Sequence, residues 1–192
     1  TAVFATDDLA DLALLSSAFH YWWTVTRAST MGVGAGIRYT PSDVFETFPR
    51  PISTGRMRTA GESLDNDRRI FMLSRELGLT KTYNLIHDPA VADSQVAHLR
   101  SLHAEVDAAV SAAYGWDDLK LEHGHFDTRQ GNRWTVSPAA RLELLDRLLE
   151  LNHSRYAEEQ AAAGTAPGKL KGRRKSASQP VEGTLFDTDE DS

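Results

Sequence analysis

Two stretches carry apolar residues at alternating three- and four-residue steps, and they constrain this chain more than any other feature. Val96, Leu99, His103, Val106, Val110 and Ala113 form one seam between about Asp93 and Tyr114. Leu142, Leu145, Leu148, Leu149, Asn152 and Tyr156 form a second, running to about Ala163. Such spacing places each set along one face of an α-helix. Gly115 ends the first helix. Ser137-Pro138 opens the second as N-cap and first-turn proline. Glu143 and Arg147 lie one turn apart, as a solvated helix face requires. Leu64–Leu77 reads as a further amphipathic helix ending at Gly78, a natural C′ glycine. The expectation for residues 60–163 is a helical unit whose core includes Leu99, Val106, Val110, Leu145 and Leu149.

The N-terminal third is more mixed. Thr6 or Asp7 is the expected N-cap of a helix carrying Leu9, Leu12, Leu15 and Phe19, running on through Trp22 and Trp23. Adjacent tryptophans cannot share one helix face, so one belongs to a core and the other covers a second surface. Met31–Gly36, MGVGAG, reads as a turn; it lacks the Lys-Ser/Thr and the strand-to-helix context of a phosphate loop. Ile37 and Tyr39 suggest a short strand, Thr40-Pro41-Ser42 a turn, and Pro49 and Pro51 an extended connector. A domain boundary is expected at Pro51–Gly61. Trp116–Gly131 reads as a loop or a turn-rich stretch. Residues 164–192 hold few apolar groups to offset the entropy of ordering, and disorder is expected there.

Composition excludes several chemistries. The chain has no cysteine, which removes disulfide scaffolds, Cys-ligated zinc, iron–sulfur clusters and thiol catalysis. Seven histidines raise a metal possibility, but His98 and His103 do not share a helix face. His123-Gly-His125 with Asp127 lacks a third firm ligand, so the expectation is no metal. GxSxG, HExxH and Walker motifs are absent, and no catalytic residue is assigned. The charge-free run Leu12–Thr26 is too short to span a bilayer, and no basic segment precedes it, so neither a membrane segment nor a secretory signal is expected. The expected compartment is the cytoplasm.

Net charge is −6 over 192 residues, a weak argument against a dedicated nucleic-acid module. Its distribution is uneven. From Arg27 to Arg58 five arginines face only Asp43 and Glu46. The planar guanidinium fork suits phosphates and guanine edges. On charge alone the plain reading is the surface of a soluble helical protein; Arg27, Arg38, Tyr39, Arg50, Arg56 and Arg58 become DNA-contact candidates through the resemblance that follows. Arg38 beside Tyr39 leads them, with a structural pair to Asp43 or Glu46 as its alternative. Lys169, Lys171, Arg173, Arg174 and Lys175 form a basic knot suited to sequence-indifferent phosphate attraction. Leu185-Phe186 in EGTLFD is similar to the QxxLF pattern by which bacterial proteins bind the replication sliding clamp, with Glu182 where Gln is usual.

Four stretches carry a family resemblance. LLSSAFHYWWTVTRAS (Leu14–Ser29) and RYTPSDVFETFPRP (Arg38–Pro51) resemble the close of the target-recognition domain of MmeI-like, type IIG restriction–modification enzymes. LTKTYNLIHDP (Leu79–Pro89) with LRSLHAEVDAAVSAAYGW (Leu99–Trp116), and RWTVSPAARLELLDRLLELNHSRYAEE (Arg133–Glu159), resemble the helical C-terminal domain of that family. HGHFD at His123–Asp127 departs from the HGFHE frequent there. The resemblance implies a mainly α chain. Residues 1–51 would be the α/β end of a target-recognition domain, 52–163 the helical domain and 164–192 the disordered charged tail.

It also implies a parent adenine-specific DNA methyltransferase that uses S-adenosyl-L-methionine and contacts double-stranded DNA. The NPPY-type and glycine-rich cofactor motifs of that chemistry are absent here: Asn84 is followed by Leu85. This chain is thus expected to bind no cofactor and to pack beside an upstream methyltransferase domain. Asn84 and His87 are expected to cap or staple a helix junction. The other reading is a helical protein-interaction module of a multisubunit phage-defence complex.

Overall fold

The computed structural model describes residues 4–30 and 37–165. The expected turn Met31–Gly36, the basic knot Lys169–Lys175 and the Leu185-Phe186 peptide lie outside the described residues. Among those described, seven helices and two short hairpin-like ribbons follow one another. Their order is α1 (Leu9–Ser16), α2 (Ala18–Arg27), β1 (Ser29–Thr30), β2 (Ile37–Arg38) and α3 (Pro41–Val44), then α4 (Gly55–Ser74), α5 (Leu79–His87) and α6 (Ser94–Tyr114). The strands β3 (Gly124–Thr128) and β4 (Gly131–Thr135) precede α7 (Pro138–Thr165). The molecule is mainly helical. No helix among the described residues is long and apolar enough to cross a membrane.

The expected first helix is two helices. Ser17 breaks it with an extended ψ of 158° and restarts it, its hydroxyl accepting from the His20 N–H. The cap of α1 is Asp8, one residue beyond the expected Asp7; its carboxylate accepts from the Ala10 N–H at 2.9 Å. That carboxylate also takes a two-pronged bond from Arg58, which holds it below the usual carboxylate range. The two tryptophans are not divided between a core and a second surface: both are buried in one apolar cluster. Trp23 donates to the Val44 carbonyl and Trp22 to Thr135 Oγ1.

α6 carries the expected seam, with Val96, Leu99, Val106 and Val110 buried. Gly115 ends it in the left-handed conformation at φ 74°, where a side chain would be strained. Burial on α6 extends beyond one stripe, to Asp107, Ala109 and Ser111. The register of α7 differs from expectation. Its fully buried positions are Leu144 and Leu148, with Ala140 on the same side, while Leu142 and Tyr156 face solvent. Leu145 and Leu149 pack at the margin of the core. Six apolar residues in a leucine-rich stretch fit two overlapping stripes, and only the neighbouring helices select one.

Two further elements differ. α4 ends at Ser74, and the left-handed residue is Glu76 (φ 53°), while Gly78 caps the start of α5. The stretch expected as loop contains the β3–β4 hairpin, paired Gly124–Thr135 through Thr128–Gly131. Its strands are rich in polar residues and glycine, so no clear alternation marks them. β1 and β2 pair Ser29 with Arg38 and Thr30 with Ile37.

Packing crosses Pro51 without a break. Phe19, Trp23, Val44 and Phe48 share one buried cluster with Met57, Leu64, Val106, Val110, Leu144 and Leu148. Backbone-directed bonds tie the same parts together. Tyr114 donates to the Pro49 carbonyl and Asn152 to the Thr47 carbonyl. α1 crosses α4 closely at Gly61, where an added Cβ would stand 2.0 Å from the Leu9 carbonyl oxygen. A second, smaller cluster of Phe71, Ile86, Val96 and Leu99 lies under α5.

Candidate functional site

The arginines selected from the sequence have different fates. Arg56 and Arg58 are engaged in ion pairs, with Glu105 at 3.1 Å and Asp8 at 2.9 Å. Arg27 lies over the Trp23 ring (4.6 Å) and Arg50 over the Phe45 ring (4.8 Å), both exposed. Arg38 is exposed on β2, and among the described residues it forms no ion pair with Asp43 or Glu46. The structural-pair alternative for Arg38 is thereby overturned. Cross-strand pairing of Ser29 with Arg38 brings Arg38 close to the end of α2, where Arg27 sits. Arg50, Arg56 and Arg58 do not join that corner through any described contact. Tyr39 points inward: its hydroxyl donates to His20 Nε2 at 3.1 Å.

Tyr39 thus belongs to a cleft that sequence reasoning missed. The cleft encloses about 440 Å³ between α2, α5, α6 and the β3–β4 hairpin, with Tyr21, Tyr83, His103, His123, Arg133 and Trp134 among its walls. Its volume falls in the range of small-molecule sites. No pattern in the sequence pointed to it, because the lining is assembled from six separate segments, from residues 15–24 to residues 133–135.

Hydrogen bonding fixes most of the proton positions there. The Leu15 carbonyl can only accept, so His20 Nδ1 carries the hydrogen. His20 Nε2 then accepts from Tyr39, and burial pushes the imidazole toward its neutral form. Asp107 is buried, with one oxygen accepting from the Ala18 N–H at 2.7 Å and the other from His123 Nε2 at 2.8 Å. A buried carboxylate is tolerated because both oxygens are satisfied. His123 Nε2 therefore bears a hydrogen, and its Nδ1 has no hydrogen-bond partner among the described residues. Tyr83 accepts from Arg68 and donates to His103 Nε2 at 3.2 Å.

His87 staples α5 to the hairpin, as expected of a helix-junction residue. Its Nδ1 accepts from the Trp134 backbone N–H at 3.2 Å, and Nε2 faces the Arg133 guanidinium at 3.1 Å. With donors facing both nitrogens there is no acceptor for an added proton. Burial first, and then the cations around it, depress its pKa to about 4. Burial likewise depresses His103 to about 4, against a partial opposing effect of Asp107. Burial therefore holds His20, His87 and His103 toward their neutral forms. Arg100 completes the junction by donating to the carbonyls of Leu85, Ile86, Asp88 and Val91 at the end of α5.

Two polar atoms in the cleft wall lack partners. The Tyr21 hydroxyl and Arg133 Nε are both buried and bond to nothing among the described residues. They are neighbours, with the Arg133 guanidinium carbon 5.2 Å from the Tyr21 ring centroid. Of the sequence-selected metal candidates, His123 bonds Asp107 and Asp127 accepts from Asn132 across the hairpin, while His125 Nε2 is buried without a hydrogen-bond partner among the described residues. Among the described residues, no group of three or more His, Asp or Glu stands together as metal ligands. Comparison of the chain with protein-family models, with curated proteins and with solved structures finds no match.

Proposed function

We propose that this chain is the C-terminal part of an adenine-specific DNA methyltransferase of the type IIG kind, serving DNA contact and domain packing. Catalysis and S-adenosyl-L-methionine binding would belong to an upstream domain. One observation carries the reading. The four stretches that resemble the family are not scattered over the surface; they are the parts that pack on one another. Trp22 of the first bonds Thr135 of the last, Trp23 bonds Val44, Tyr114 bonds Pro49, and His87 bonds Trp134. A resemblance in order and spacing that coincides with one packed body is what a shared fold requires.

Within this reading the DNA-facing arginines reduce to Arg27, Arg38 and Arg50, because Arg56 and Arg58 already hold carboxylates. Arg38, without an anionic partner among the described residues, is the proposed base or phosphate contact. The test uses the protein expressed from its complete reading frame with labelled S-adenosyl-L-methionine and mixed-sequence DNA. Label on the adenine amine is expected, and none above background would overturn the assignment. In that protein Arg38→Ala should lower methylation at the cognate site more than at one-base-changed sites. A lost base contact costs roughly 1–3 kcal/mol of discrimination, whereas a lost phosphate contact weakens all sequences alike.

The reading as a protein-interaction module has its own observation. Leu73 and Leu79 stand exposed along a groove between the end of α4 and the start of α5. Partner binding that survives high salt, in a protein that binds no DNA, would select it.

A further inference from the structure

We propose that the cleft between α2, α5, α6 and the β3–β4 hairpin binds one nucleotide unit, a base with its phosphate. The anionic half of the ligand follows from the two orphaned donors. A buried hydroxyl and a buried guanidinium N–H without partners are each unfavourable unless something accepts from them. Tyr21 and Arg133 are neighbours in the cleft wall, the guanidinium carbon 5.2 Å from the Tyr21 ring centroid, so an anionic group seated there would face both side chains. Among the described residues no carboxylate pairs with Arg133. The cleft's one carboxylate, Asp107, is consumed by the Ala18 N–H and His123. An uncompensated cation beside a free hydroxyl fits a phosphate oxygen.

The remainder of the ligand follows from the size and character of the walls. The space is about 440 Å³, well beyond what an inorganic anion fills. Its other faces are Tyr39, Tyr83, Trp134 and the imidazoles of His20, His87 and His103, which favour a flat ring of low charge. His123 turns Nε2 to Asp107, and its Nδ1, without a partner among the described residues, is a hydrogen-bonding position on that side. In the neutral tautomer it would take an N–H of the base. A ring with an N–H donor, joined to an anionic oxygen, is the chemistry of a nucleotide. Such a unit can come from an unstacked DNA strand or from a free nucleotide. The inference holds for either and does not depend on the methyltransferase assignment.

The 192-residue chain is titrated calorimetrically with the four deoxynucleoside monophosphates, the matching nucleosides and a short single-stranded oligonucleotide. Saturable binding of at least one monophosphate or of the strand is expected, with the nucleosides weaker. Tyr21→Phe keeps the ring and removes only the hydroxyl; Arg133→Lys keeps the charge and removes the Nε donor. Each should weaken binding about tenfold, the loss of one charge-assisted hydrogen bond. Arg56→Gln, outside the cleft, should bind as the parent does. A strand bound more tightly than its monophosphate supports the proposal with DNA as the source, and equal affinity supports it with a free nucleotide. Absence of saturable binding by every probe would overturn it. So would Tyr21→Phe and Arg133→Lys variants that melt like the parent and bind like it. Nucleosides bound as tightly as monophosphates would overturn the phosphate assignment. Failure of these probes with adenine methylation intact in the complete protein would reject the cleft and spare the proposed function.

Discussion

The two buried clusters hold by different means. Around α2 and α7 twenty buried residues interlock, including Phe19, Trp23, Met57, Leu64, Leu144 and Leu148. Under α5 only Phe71, Ile86, Val96 and Leu99 are buried. That smaller region depends on directed polar contacts: Arg100 on four carbonyls, His87 on Trp134, and Tyr83 between Arg68 and His103. Apolar burial tolerates small shifts and is insensitive to pH. A polar staple is specific in geometry and breaks when one partner is removed or charged. The cleft lies where the two regimes meet, bounded by α2 of the large cluster and by α5 and the hairpin of the small one.

The largest effect should come from the close-packed region. Gly61→Ala places a methyl 2.0 Å from the Leu9 carbonyl oxygen, which α1 and α4 can relieve only by separating. A loss above the usual 1–3 kcal/mol for overpacking is expected, read from chemical denaturation. Leu148→Ala in the same region should cost about 2–5 kcal/mol, and Leu142→Ala, on the same helix but exposed, within about 0.5 kcal/mol. Equal losses from the two leucines would mean that α7 is rotated from the register described.

Arg100→Met addresses the stapled region. It leaves four carbonyls at the end of α5 without their donor, and a loss of about 2–3 kcal/mol is expected. Hydrogen exchange should rise over 79–87 and stay unchanged in α7. Uniform acceleration would show that the two regions unfold as one.

Acid should distinguish the regions too. His87 and His103 have folded pKa values near 4 against an ordinary 6.5. The unfolded chain takes up these protons below pH 6.5 and the folded chain does not. Their contribution is therefore complete above pH 6.5 and is lost as pH falls from 6.5 to about 4. Exchange protection in α5 should fall first across that window, and His103→Gln should flatten the slope of melting temperature against pH. A parent whose melting temperature is constant over the window would contradict neutral imidazoles at His87 and His103. The smallest effect is expected at the surface. Arg56→Gln removes an exposed ion pair with Glu105 and should change stability by less than about 1 kcal/mol, less again at high salt.

Much of the helical framework was legible because it rests on local rules. Asp93 caps α6 with its side chain, Gly115 ends it, and Ser137-Pro138 opens α7. The Glu143–Arg147 pair also forms, with Asp118 as a further partner. The hairpin was not legible, because its pairing is marked by no alternation and it is held by Trp134 reaching α5 and α6. The choice of buried face on α7 was ambiguous for a similar reason, since Leu142, Leu144, Leu145, Leu148 and Leu149 offer more apolar residues than one stripe needs.

The sequence by itself determined the predominance of helix and the positions of several caps and stops. Each of these follows from interactions within one or two turns of chain, where spacing and residue type are sufficient. Tertiary structure alone decided that the segments on either side of Pro51 share a core, and that Arg56 and Arg58 are spent on Glu105 and Asp8 while Arg38 is free of Asp43 and Glu46. It alone set the orphaned Tyr21 hydroxyl beside Arg133, 112 positions apart by number, in one wall. A side chain's partners in such cases lie tens of residues away. Which of them arrive is fixed by how the helices stack, a property that no local spacing encodes.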